Sequence, residues 1–168
     1  MIFKTNKHNN SLYNTLLLLS RNIFFYKNIG LRDIFETRIY LMFLHFSILL
    51  IIFKKKKSNF DQKKYDSLFN NIEYNLRELG FGDVSVNKKM KDFNKILYDI
   101  LLKLEKESEQ SFEINEKLIF KYFDEFKNEN NEKYKVFEDY FLNYYNFCFE
   151  LPLDSMIIDS LKFNYGSS

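Results

Sequence analysis

A chain of 168 residues with 46% apolar content supports one compact domain and is short for two. A single cysteine, Cys148, and two histidines, His8 and His45, exclude a disulfide framework and argue against a zinc site built from this chain alone. Twenty-five Lys/Arg against 23 Asp/Glu leave a formal charge of +2, which taken whole argues against a nucleic-acid-binding protein.

That total conceals an asymmetry. Residues 1–91 carry 16 Lys/Arg and 7 Asp/Glu, whereas residues 92–168 carry 9 and 16. Part of this difference is expected to be neutralised where the halves pack together, and the basic half is where an anionic partner would be met. Residue usage is skewed as well: there is no Ala and no Trp, one Pro, and 21 Lys against 4 Arg. AT-rich codons supply such a mixture, so abundant Phe, Tyr and Asn carry little weight. Arg21, Arg32, Arg38, Arg77, Gly30, Gly80 and Gly82 are the opposite case, standing where Lys or Asn would not serve.

In chain order, residues 1–10 read as a tail and residues 11–168 as one helical domain. Basic side chains without acidic ones in residues 1–32 superficially suit a mitochondrial presequence, and no secretory cleavage site is visible. Ser11 is placed to cap a helix running toward Arg21, and a second segment from Ile23 to Lys27 ends at Gly30. Asp33 and Glu36 have the spacing of a capping box that opens a long helix over about residues 33–53. Its stretch Ile39–Phe53 is strongly apolar, between Arg38 and the run Lys54–Lys57. Fifteen helical residues reach roughly 22 Å, short of a hydrocarbon core of about 30 Å, so the segment reads as a buried central helix. Being apolar all round, it requires other helices to surround it.

A helix from about Asn59 to Leu79 follows, with Tyr65, Leu68, Phe69, Ile72, Leu76 and Leu79 in helical rhythm. Gly80 ends it, and Phe81 beyond is placed for a Schellman ending. Ser85 is positioned to cap the next helix, whose stripe is Val86, Met90, Phe93, Leu97, Ile100 and Leu104. After a charged connector over 105–113 come amphipathic stretches at 114–126 and 134–151. Pro152 breaks the last of these, and Asp154 is placed to cap a short helix reaching about Lys162. No strand alternation appears. The fold expected is an all-α, single-domain bundle of about six to eight helices.

Three constellations bear on function. Arg38 and His45 lie seven residues apart on one face of the central helix, which places them about 10 Å apart along its axis. They read either as a site or as an ion pair with Asp66, Glu73 or Glu78 plus a satisfied core histidine. Lys88, Lys89 and Lys91 crowd the start of a helix and suit an anion, or form a solvated edge neutralised by Asp83 and Asp92. Lys54–Lys57 favours the dipole of the helix it closes, and is long enough to touch lipid or RNA. Catalysis has little support: there is no second usable histidine for a triad and no phosphate-binding glycine loop.

The series Phe25-Tyr26, Gly30, Asp33, Arg38-Ile39 and Leu44-His45 is followed by the block Asn75-Leu76-Arg77-Glu78-Leu79-Gly80-Phe81-Gly82-Asp83. The basic start Lys88-Lys89-Met90-Lys91 comes next. Together they resemble the ubiquinol–cytochrome c chaperone family over about Tyr13 to Tyr98, more loosely at Leu151-Pro152-Leu153-Asp154. The resemblance implies a non-enzymatic assembly factor for respiratory complex III that binds newly made cytochrome b at the membrane or ribosome. It implies partners among cytochrome b, ribosomal RNA, a small partner protein and anionic lipid, with no DNA and no cofactor. With so few residues before the resembling region, a bacterial cytoplasmic protein, peripheral at the inner membrane, is expected over a mitochondrial matrix one. Arg77, Asp83, Lys88, Lys89 and Lys91 become candidates for partner or anion binding. Arg38, His45, Asn75, Gly80 and Gly82 become structural or client-binding candidates. The rival is a basic-faced membrane-surface or RNA-binding adaptor without a specific client; a third reading is an amphipathic oligomerisation module.

Overall fold

A computed structural model describes residues 11–127 and 131–166; the expected tail over residues 1–10 lies outside the described residues. The chain forms an all-α bundle, with no strand among the described residues. Helix α1 (Ser11–Ser20) leads through a π-helical turn (Phe24–Asn28) to α2 (Phe35–Lys55), α3 (Gln62–Glu78) and α4 (Asp83–Glu107). Then come α5 (Glu116–Tyr122), a 3₁₀ turn at Asp124–Phe126, α6 (Asn131–Phe149), α7 (Met156–Asp159) and a closing 3₁₀ turn at Ser160–Lys162.

The centre is α2, which packs against α1, α4 and α6 and buries 13 of its 21 residues. At 21 residues it reaches roughly 31 Å, so the length argument against a membrane span fails: by length and composition alone it could cross one. Burial is what marks it as a core helix, because side chains on every side, from Ile39 to Ile52, are covered by other helices. Helix α3 covers the core with Leu68, Phe69, Ile72 and Leu76, and α4 with Val86, Phe93, Leu97, Ile100 and Leu104. On the far side α6 supplies Phe137, Phe141, Tyr144 and Cys148, which recur at three- and four-residue steps along one face.

Helix ends divide into those the sequence predicts and those it does not. Gly80 takes φ +97°, with Gly80 N–H donating to the Arg77 carbonyl at 3.0 Å and Phe81 N–H to the Leu76 carbonyl at 3.2 Å. That is the complete Schellman pair. Lys57 closes α2 in the same way, with its N–H on the Lys54 carbonyl at 3.0 Å and Ser58 N–H on Phe53 at 2.9 Å, but at φ 55° with a side chain attached. A side chain in the left-handed region costs about 1–2 kcal/mol, partly offset by the unfolded-state entropy of glycine. Lys57→Gly should therefore stabilise the fold by about 0.5–1 kcal/mol and Gly80→Ala destabilise it by about 1 kcal/mol, as read by urea unfolding. Nothing lies within 4 Å of a methyl built on Gly80, so that cost is one of backbone conformation alone.

Three expected caps are not made. Asp33 does not cap α2, whose N-cap is Ile34, because its carboxylate is held by Arg38. Ser85 lies inside the first turn of α4, since Gly82 is extended there and the helix starts two residues earlier, at Asp83. Asp154 sits in the turn after Pro152, and Ser155, the residue before α7, makes no side-chain capping bond. Ser11 already belongs to α1, and the residues before it lie outside the described residues.

Candidate functional site

The residues singled out from the sequence separate into three places. Gly80, Gly82, Arg77, Asp83 and Lys89 come together at the α3–α4 turn. Arg77 bonds the Asp83 carboxylate and lies 3.5 Å from Glu73, tying the end of α3 to the first residue of α4. These contacts hold the exposed Arg77 guanidinium firmly charged, its bond to Asp83 raising its pKa above the ordinary value. Lys89 stands 4.9 Å over the ring of Phe81, and its Nζ lies 3.9 Å from Glu36, which anchors the turn to the start of α2. Arg77, Asp83 and Lys89 are thus internally engaged.

This corrects the picture of a bare helix N-terminus awaiting an anion. Asp83 occupies the first position of α4 and is paired with Arg77, while the lysines lie in the second and third turns, where the dipole has faded. It also removes Asp83 as the neutraliser of the lysine cluster. Lys88 and Lys91 are exposed and make no ion pair among the described residues; Lys95 is the same. At spacings of three and four, these lysines form one row on the face of α4 opposite its buried stripe. The row is framed by exposed apolar side chains in the same register, Val84 before it and Tyr98 and Leu102 after it. The sequence signal for Lys95 was present in that spacing, although clustering in sequence drew attention to Lys88, Lys89 and Lys91.

The second place is the base of α2. Arg38 does not pair with Asp66, Glu73 or Glu78. Because α2 starts at Phe35, Arg38 falls in its first turn, where it binds Asp33 through Nε and Nη2 at 2.9 and 2.6 Å. Those carboxylates have other partners: Gln62 donates to Asp66, Arg77 lies beside Glu73, and Tyr74 bonds Glu78. Asn75 is nearby, its Nδ2 donating to the Tyr13 hydroxyl across the α1–α3 contact. Both residues line a cavity of about 170 Å³ between α1, α2 and α3.

His45 is in the third place, the core between α2 and α6, with no exposed surface. Its Nδ1 is 2.6 Å from the Leu41 carbonyl, an acceptor only, so Nδ1 carries the proton. Nε2 then accepts from the Tyr140 hydroxyl at 2.9 Å. Phe25, Phe141 and Tyr144 enclose the ring edge to face. Burial depresses the imidazole pKa to about 4, partly opposed by the Leu41 bond, and the ring is neutral at pH 7. His45 is a structural core residue and cannot be reached by a partner.

Lys54–Lys57 likewise acts within the fold. Lys54 lies 3.4 Å from Glu105, and Lys56 Nζ donates to the Phe149 and Leu151 carbonyls at 2.5 and 3.2 Å. Lys55 sits 5.5 Å over the Tyr145 ring. The run therefore fastens α2 to α4 and to the end of α6. Lys54–Glu105 and Arg32–Glu125, the latter at 3.7 Å, are ion pairs joining the basic and acidic halves. Asp99 forms another internal hub: burial alone would raise its pKa, but bonds from Lys103, Lys121 and Tyr122 hold it well below the usual carboxylate range.

Among the described residues no group of three or more His, Cys, Asp or Glu side chains could hold a metal ion. The buried Cys148 thiol is pushed up to about 12 by burial, so it is not a nucleophile at neutral pH.

No curated protein and no solved structure matches the chain. The family model described as ubiquinol–cytochrome C chaperone matches residues 27–118, from the π-helical turn through α2, α3 and α4 into α5. That is more than half of the chain and holds the Schellman turn, the Arg77–Asp83 pair and the lysine row. The chain belongs to the ubiquinol–cytochrome c chaperone family.

Proposed function

We propose that the chain is a non-enzymatic assembly factor of respiratory complex III that receives newly made cytochrome b, working peripherally at the cytoplasmic face of the inner membrane. Family membership supports the complex III role. The observation that carries the finer reading is the row Lys88, Lys91 and Lys95 on the outer face of α4, without ion pairs among the described residues and bracketed by Val84, Tyr98 and Leu102. Exposed lysines without ion pairs among the described residues attract an anionic surface at long range, and the apolar residues in register add contact area once it arrives. Anionic lipid, ribosomal RNA and the polar loops of a membrane protein all present such a surface.

The buried neutral His45, the protonated Cys148 and the core-filling α2 contribute rigidity, which fixes the direction in which the lysine row points. In cells depleted of this protein, assembled complex III should fall at least severalfold while the other respiratory complexes hold, and the wild-type chain should restore it. Unchanged complex III, or an equal fall in every complex, would refute the assignment. A generic basic adaptor predicts instead binding to any polyanion, lost steeply with salt and indifferent to cytochrome b.

A further inference from the structure

The cavity between α1, α2 and α3 has features the assembly role does not use. Its walls are Leu17, Phe35, Ile39, Met42, Ile72 and Leu79, and its polar rim is Tyr13, Arg21, Arg38 and Asn75. Leu79 is 59% exposed although its spacing places it on the core side of α3, because its side chain faces this opening. Ile39, Met42 and Ile72 are already buried, so the apolar surface that meets the opening comes from Leu17, Phe35 and Leu79, and covering it gains about 25 cal/mol per Å².

The rim selects the kind of ligand. Only 4 of the 25 basic residues are arginines, and 2 of these border one cavity. Arg32 and Arg77 have carboxylate partners and Arg38 has Asp33, whereas Arg21 is exposed and makes no ion pair among the described residues. Of the acidic groups nearby, Asp33 is paired with Arg38, while the Glu78 carboxylate keeps its charge and acts on Tyr13. Tyr13 accepts from Asn75, so its own hydroxyl proton has no acceptor among the described residues and can be donated to a ligand. Burial raises the Tyr13 pKa, the Arg21 charge pulls it down and the Glu78 charge raises it again, so the hydroxyl stays protonated.

We propose that this cavity binds a small amphiphile with one anionic headgroup, its apolar portion against Leu17, Phe35 and Leu79 and its headgroup between the Arg21 guanidinium and the Tyr13 hydroxyl. The volume sets the size: an apolar cavity of about 150 Å³ accepts a benzene-sized molecule, so about 170 Å³ takes a ring or a short acyl segment. A guanidinium fork matches a carboxylate or phosphate bidentately, which explains an arginine where this chain otherwise uses lysine. The site stands on its own observations, independent of the lysine row and of any client.

The test is titration of the full chain with hexanoate and hexyl phosphate, followed by the NMR signal of the Met42 methyl, with hexyltrimethylammonium as the cationic control. The expected result is saturable shifts with at least one of the two anions and none with the cation; which anion binds more tightly distinguishes a carboxylate from a phosphate source. Arg21→Gln and Leu79→Asp, both at exposed positions, should each weaken that binding at least tenfold, and Tyr13→Phe severalfold. Equal shifts with the cation, unchanged binding in Arg21→Gln, or response only to anionic vesicles and to neither short anion would overturn the proposal. Complex III accumulation is not the readout, so failure here leaves the assembly role untouched.

Discussion

Replacing Lys88, Lys91 and Lys95 together with Glu is expected to reduce complex III to the level of a strain lacking the protein, with the fold retained. All three side chains are exposed, on the face of α4 opposite its buried stripe, and without ion pairs among the described residues. Exposed substitutions of this kind shift stability by about 0.5 kcal/mol or less each, so urea unfolding should move little. Lys89 is left alone on purpose. Its Nζ lies 3.9 Å from Glu36 and 4.9 Å from the centre of the Phe81 ring, so Lys89→Glu would set two carboxylates together and disturb the turn. Normal complex III in the triple variant would show that the row is only a solvated face. Loss of complex III accompanied by unfolding would point to the α3–α4 turn instead.

The second large effect is on stability and pH. His45 is neutral and enclosed, with a pKa near 4 in the fold against about 6.5 in the unfolded chain. The unfolded state therefore binds the proton more readily. The stabilisation is fully present above about pH 6.5 and is lost as pH falls toward 4. By linkage, this one group should lower the unfolding free energy by about 2 kcal/mol between pH 7 and pH 5. Most of that window lies above the titration of ordinary carboxylates, and Asp99 stays ionised throughout it. Tyr140→Phe should cost about 1–3 kcal/mol at pH 7, since it strips the buried Nε2 of its donor. The double variant His45→Leu with Tyr140→Phe removes both polar partners, and should lose the pH 7 to pH 5 slope. A slope that persists in the double variant would assign it to another group.

The parts of this structure legible from sequence are those fixed by local rules. The apolar stripe of α4 and the glycine ending of α3 are set by helical spacing and by the left-handed backbone at Gly80, and both appear as expected. The caps fared worse, because a capping side chain has competitors. Asp33 lies one residue before the N-cap and serves Arg38, five residues on, and α4 opens at Gly82 so that Ser85 falls inside its first turn. Nothing within a few residues of Lys56 indicates that its ammonium meets the carbonyls of Phe149 and Leu151, more than 90 residues away.

The candidate site divides in the same way. A run of lysines can be read from sequence, but which of them remain unpaired depends on the fold. The structure releases Lys88 and Lys91, adds Lys95 and ties down Lys89. Nothing local in the sequence indicates the cavity, which forms where α1, α2 and α3 bring Arg21 and Arg38 to one opening.

The proposal that this helical scaffold serves complex III assembly by holding cytochrome b is tested by affinity capture of the tagged full-length chain from respiring membranes at physiological salt, with quantification of the respiratory subunits that come with it. Cytochrome b should be enriched over subunits of the other complexes, and lost from the Lys88, Lys91 and Lys95 triple-Glu variant. Capture without cytochrome b, or with cytochrome b no more than with unrelated membrane proteins, would contradict it.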